Sequence, residues 1–264
     1  MGWMGKVIGG AMGFAFGGPL GMIAGIAFGN LFDRASQYTS TQEQSIPFGA
    51  GTTASMDPQQ QSQMIFFVGA FSMLARIATV DGRLLPEEQR KVEEFINHDL
   101  KLDAQGRQAA LRVFNAALTG GGTFDQFATQ FYQNFAHEPS ILELMIDVLV
   151  RVAVADGVIS EAEDRLITVA ARIFRIPDAL LVSIRRRYGL HGGTSPVKAY
   201  AVLGLQQDAT PEEVKKAYRK LSREFHPDSI ASKGLPEEFT KFAEEKFRAI
   251  QEAYDTIRKE KGFG

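Results

Sequence analysis

The sequence predicts an all-α protein: an N-terminal transmembrane helix, a helical bundle, and a C-terminal antiparallel helical hairpin. Three observations carry this. No stretch alternates apolar and polar residues at the two-residue period of a half-buried strand. Helix-start signals recur: Asp57 before Pro58, Thr123 with Gln126, Ser140 with Glu143, Ser160 with Glu163, and Thr210–Pro211 with Glu213. Each puts a side-chain oxygen in front of the open amides of a first turn. Finally, residues 7 to 32, VIGGAMGFAFGGPLGMIAGIAFGNLF, hold no ionisable side chain between Lys6 and Asp33–Arg34.

Composition bounds the function. The chain has 264 residues, 45% hydrophobic and 23% charged, enough for a sizeable core. A formal net charge of -2 argues against the general grip on phosphate that a nucleic-acid binder needs. With no cysteine, disulfides, thiolate metal sites and a cysteine nucleophile are excluded, and the 4 histidines are scattered. There is no nucleophile elbow, P-loop, dinucleotide fingerprint or zinc spacing, so we expect neither an enzyme nor a bound cofactor.

Residues 1–34 read as a membrane anchor, because about 20 apolar residues rising about 1.5 Å each span a hydrocarbon core. The stretch is longer than the apolar part of a signal peptide and fits an uncleaved anchor. Gly5, Gly9, Gly13, Gly17, Gly21, Gly25 and Gly29 recur every four residues and form one stripe on a helix. Such a groove lets a second helix approach closely, which makes a homodimer through the anchor an expectation. The alternatives are a bent span or a short hairpin turning at GGPLG around Pro19. Lys6 and Arg34 balance, so the flanking charges do not orient the segment.

Residues 35–57, rich in Ser, Thr, Gln and Gly, read as a tether. Residues 58–188 follow as an all-α domain with helices near 58–80, 87–98, 104–119, 124–136, 141–155, 161–174 and 178–188. Phe66, Phe67, Phe71, Phe127, Phe131 and Phe135 fall at helical spacing and are core candidates. His98 and His137 lie near helix ends, where surface or capping roles are expected. An internal repeat appears when LARIATVDGRLLPEEQRKV (74–92) is laid on LVRVAVADGVISEAEDRLI (149–167). Asp81 matches Asp156, Gly82 matches Gly157 and Glu88 matches Glu163. In each copy an apolar helix breaks at Asp-Gly and a new one starts a few residues later. A calcium loop is not intended, since VRVAVA (150–155) supplies no early oxygen ligands. This arrangement resembles the TerB-like helical domain. The resemblance implies acidic residues at the turns, for which metal binding has been suggested in relatives; Asp81, Glu88, Asp156 and Glu163 are then weak metal candidates. Helix capping is the better reading of all four.

Residues 189–197 are a second linker. Val214, Ala217, Tyr218, Leu221 and Phe225 mark the buried stripe of a helix that opens at Pro211. Lys215, Lys216, Arg219, Lys220 and Arg223 make its outer face basic. Pro227 ends that helix at His226. A second amphipathic helix, about 237–258, brings Phe239, Ala243, Phe247, Ile250, Tyr254 and Ile257 to the hairpin core. His226-Pro227-Asp228 is then exposed at the tip. AYAVLGL, TPEEVKKAYRKLSREFHPD and EEKFRAIQEAYDTI together resemble a DnaJ-type J-domain, here residues 198–264. Ser229, where a Lys is common, and Ala199, where a Tyr is frequent, depart from the pattern outside the tripeptide.

With HPDSIASKGLPEE and the terminal EKGFG, the order of segments resembles the DjlA-like, membrane-anchored DnaJ family. The resemblance implies a co-chaperone whose His226, Pro227 and Asp228, with the basic face, bind a DnaK-type chaperone and stimulate its ATPase. It also implies an inner-membrane, single-pass protein with both folded domains in the cytoplasm. The alternative is a metal- or stress-sensing adaptor that uses the J-domain only for recruitment.

Overall fold

The structure is a computed structural model that describes residues 17–37, 57–189 and 195–263. Its elements are all helical among the described residues. Helix α1 (Gly18–Gln37) precedes seven helices of a bundle: α2 (Pro58–Ile77), α3 (Pro86–Glu94), α4 (Ala104–Thr119), α5 (Phe124–Phe135), α6 (Pro139–Ala153), α7 (Glu161–Ile173) and α8 (Asp178–Arg187). A π-turn, Phe95–Asp99, extends α3. Four more follow: α9 (Ser195–Val202), α10 (Pro211–Glu224), α11 (Pro227–Ser232) and α12 (Glu237–Lys261).

Helix α2 is the axis of the bundle. Its residues from Met64 to Ala75 are all buried, so it is apolar on every side, the pattern of a helix with no solvent face. Around it pack α4, α5, α6 and α1. Phe66 meets Phe131 and Phe135 edge-on, at ring-centroid distances of 5.6 and 6.3 Å. The six phenylalanines expected in the core all lie there.

Four of the five capping signals lie at helix starts. Asp57 accepts from the Gln59 amide, and Thr123–Gln126, Ser160–Glu163 and Thr210–Glu213 form complete capping boxes. Ser140 is a correction. Proline is best placed in a first turn, so Pro139 opens α6 and Ser140 lies inside the helix, where it accepts a hydrogen bond from Lys233 instead. Gly82 and Gly157 break their helices at φ 95° and 86°, the left-handed turn that the repeat requires.

Two further expectations are corrected. The stretch between the two expected hairpin helices is not irregular throughout but contains α11, because Pro227 ends one helix and opens the next. Phe239 does not join the hairpin core. Helix α12 has 25 residues against 14 in α10, so its first turns overhang the hairpin. There Phe239 enters the bundle, with ring centroids 4.8 Å from Phe66 and 6.3 Å from Phe95.

The apolar N-terminal segment also differs from a straight helix. Residues 7–16 of the expected span, with Gly5, Gly9 and Gly13, lie outside the described residues. Gly17 and Gly18 have φ of 51° and 63°, and α1 begins at Gly18, beside Pro19. Among the described residues no helix is long and apolar enough to cross a membrane. Leu20, Ile23, Ala24 and Phe28 are buried against the bundle, contributing about 1.5–3 kcal/mol for each large side chain removed from water.

Candidate functional site

The hairpin of α10 and α12 closes on Val214, Phe225, Ile250, Ala253 and Ile257, with Tyr218 and Tyr254 stacked at 4.1 Å. This fixes the direction of α10 and the place where it ends. Lys216, Arg219, Lys220 and Arg223 line its outer side, all exposed. Lys215 is half-buried, and its ammonium lies 5.3 Å from the centre of the Phe263 ring.

At the tip, His226 is the N-cap of α11: its Nδ1 accepts the Asp228 amide at 3.3 Å. With Nδ1 accepting, the neutral ring carries its proton on Nε2, which is left as a donor for a partner. The ring also meets Phe247 edge-on at 5.6 Å, which restricts its rotation. The Asp228 side chain is 95% exposed and that of His226 52%. Capping and presentation are thus both served by one histidine. Pro227, with fixed φ, holds the two apart from a continuous helix.

The hairpin is seated on the bundle, a feature that sequence reasoning missed. Lys246, on α12, is buried and donates to Glu143 Oε1 at 2.7 Å and to Asp147. Arg187 Nη1 pairs with Asp147 Oδ1 at 2.6 Å and Nη2 lies 4.0 Å from Glu143. Two cations and two anions from α6, α8 and α12 therefore balance in the interface. Burial works against the Arg187 charge, but Asp147 and Glu143 outweigh it and lift the guanidinium above its ordinary range. Lys246 also sits 4.1 Å from the centre of the Phe225 ring, the residue before the tripeptide. At the other end of α11, Lys233 reaches Ser140 at 2.7 Å, and Gln63 donates to the Leu235 carbonyl at 3.4 Å. Gly234 comes so close to Ser62 that a Cβ there would lie 2.4 Å from Ser62 Cβ. The tip is therefore held from behind by α2 and α6.

The acidic residues of the repeat converge on one pocket of about 170 Å³, lined by Asp81, Glu88, Asp156 and Glu163. Its centre is taken by the Lys91 ammonium, 2.9 Å from Glu88, 3.2 Å from Asp156 and 3.6 Å from Glu163. Among the described residues no group of three acidic or histidine side chains is placed to hold a metal ion. Burial lowers the Lys91 pKa, but its carboxylates overcome this and raise it. Burial raises that of Glu88. Asp156 is lowered despite burial, by the Val158 amide and Lys91. The signal was in the repeat: Lys91 stands where the second copy has Leu166.

The remaining glycines of the stripe are divided. Gly17 precedes α1 with a positive φ, Gly21 is buried against the bundle and Gly25 is half-buried, while Gly29 lies further along the helix.

A cationic helix that runs into an exposed, capped His-Pro-Asp turn is the presenting end of a J-domain, and a chain that carries one is a J-domain co-chaperone. Sequence comparisons agree and narrow the class. Residues 198–262 match the DnaJ domain, residues 68–186 the tellurite resistance protein TerB family, and residues 1–45 the co-chaperone DjlA transmembrane domain. The co-chaperone protein DjlA of Photobacterium profundum is 32% identical over 279 residues, which cover 98% of this chain and 99% of that protein. That of Coxiella burnetii is 29% identical, covering 98% of each. The chain belongs to the DjlA co-chaperone family. No solved structure matches it.

Proposed function

We propose that this chain is a membrane-anchored co-chaperone that binds a DnaK-type chaperone and stimulates its ATPase through His226, Pro227 and Asp228. The observation that carries this reading is the exposure of the tripeptide on a turn held from behind by Phe225, Lys246 and Lys233. Lys216, Arg219, Lys220 and Arg223 steer an acidic partner surface toward the turn, and Lys215 adds its charge at the far end. The His226 donor and the Asp228 carboxylate then make directional contacts, the carboxylate with a cation of the partner. Hydrolysis belongs to the partner; the J-domain contributes binding energy that favours the partner conformation competent for it. An anchor in the inner membrane, with both folded parts in the cytoplasm, places the tip where nucleotide-loaded chaperone is available. The glycine stripe then serves self-association within the bilayer.

The test is steady-state ATP turnover by a DnaK-type chaperone with the intact protein and with His226→Gln. Glutamine keeps a polar side chain at the cap and loses the imidazole. Loss of stimulation with an unchanged unfolding curve supports the reading, and undiminished stimulation rejects it.

A further inference from the structure

Helix α1 is packed into the protein in a way that conflicts with a permanent place in the bilayer. One side buries Leu20, Ile23, Ala24 and Phe28 in a groove between α4 and α5. At the edge of the contact Met22 and Ile26 reach the glycine loop with their tips and stay 43% and 48% exposed, two of the three large hydrophobic side chains exposed among the described residues. Residues 18–28 also lie within the matched transmembrane segment, and a helix in the bilayer interior cannot fill this groove.

The groove is nonetheless shaped for its occupant. Its floor is the run Gly120-Gly121-Gly122. A Cβ on Gly120 would come within 2.8 Å of Ile23 Cδ1, one on Gly121 within 3.2 Å of Met22 Cε, and one on Gly122 within 3.4 Å of Pro19 Cβ. Arg76 pins this loop from α2 by donating to the Gly120 carbonyl at 3.0 Å. Gln130, on α5, grips the start of the helix through its backbone: Oε1 accepts the Leu20 amide at 2.8 Å and Nε2 donates to the Gly17 carbonyl at 2.9 Å. An otherwise open first-turn amide is thereby satisfied by the bundle rather than by a cap of the segment itself.

We infer that this groove is an intramolecular dock for the chain's own membrane segment, and that residues 18–28 exchange between the groove and the bilayer. The dock shields the segment from water before insertion. Insertion uncovers the glycine floor, Phe127 and Gln130. This rests on reading residues 1–34 as a membrane anchor.

The full chain has no cysteine, so a pair can be introduced cleanly. Met22→Cys with Gly121→Cys places two thiols across the contact, and a short bismaleimide reports their proximity. Synthesis without lipid should give efficient internal crosslinking. Insertion into vesicles of phosphatidylethanolamine and phosphatidylglycerol, scored by resistance to alkaline carbonate, should lower it about tenfold or more. Adding Gln130→Ala should lower the lipid-free crosslink several-fold and leave vesicle insertion unchanged. Equal crosslinking in the inserted protein, or none without lipid, overturns the exchange while leaving the anchor intact. Failure to insert at all overturns both the exchange and the membrane reading beneath it.

Discussion

Replacing Lys246 by methionine tests the seat of the J-domain most severely. Methionine keeps most of the stem that packs between Phe225 and α6 and removes the ammonium. Asp147, whose side chain is 1% exposed, and Glu143 are then left with Arg187 alone to balance two negative charges. Breaking a buried pair by removing one partner costs about 3–5 kcal/mol. The protein can avoid that cost by lifting α12 away from α6, which lets water reach both carboxylates, so the penalty should appear in docking rather than in the whole fold. At about 1.4 kcal/mol per decade the docked state should weaken by about 10²-fold or more. Hydrogen exchange of residues 237–246 reads this directly: their amides should lose protection in Lys246→Met, while α2 and α4 keep theirs. Lys246→Arg should retain most of it. If exchange in α12 is unchanged by the methionine, the charge network does not hold the hairpin.

Further outcomes follow from other contacts. Lys91→Met should lower stability by about 2 kcal/mol at neutral pH, the scale of a lost hydrogen bond to charged groups, as read by urea unfolding. Because the folded Lys91 pKa is raised above 10.5, its contribution is fully present below that value and fades as pH rises through the higher folded one. The variant should therefore lose less stability than the parent at strongly alkaline pH. Gly69→Ala brings a Cβ within 2.8 Å of the Phe131 ring in a closed core, and overpacking of this kind costs about 1–3 kcal/mol, seen as a lower urea midpoint. Thr123→Ala should cost about 1 kcal/mol through its capping box. Ser140→Ala should instead loosen the contact with Lys233 and raise exchange near α11, because Ser140 is not a cap.

The helices were legible because their ends are written locally. Capping boxes, first-turn prolines and Asp-Gly breaks act within a few residues of one another, and the boundaries at Thr123, Ser160 and Thr210 lie where those signals put them. The His-Pro-Asp turn was legible for the same reason. What was hidden depends on residues far apart in the chain. Nothing near Lys246 announces Glu143 or Asp147, although two carboxylates one turn apart within the apolar run of α6 from Ile141 to Val150 were a sign that a buried cation was owed to them. Phe239 fitted the hairpin stripe by period, and only the overhang of α12 beyond α10 sends it into the bundle. Helix capping, preferred for the four acidic turn residues, holds for Glu163 in its box, but the matched pairs did not show that Glu88, Asp156 and Glu163 share Lys91 at their centre.

The role of the tip is read most directly by single-turnover ATP hydrolysis by a DnaK-type chaperone preloaded with nucleotide, compared between the intact protein and Asp228→Asn. The substitution changes a side chain that touches almost nothing else, being 95% exposed, so folding and seating should not respond. The acceleration given by the intact protein should fall to the rate of the chaperone alone. Equal acceleration by both would contradict that role.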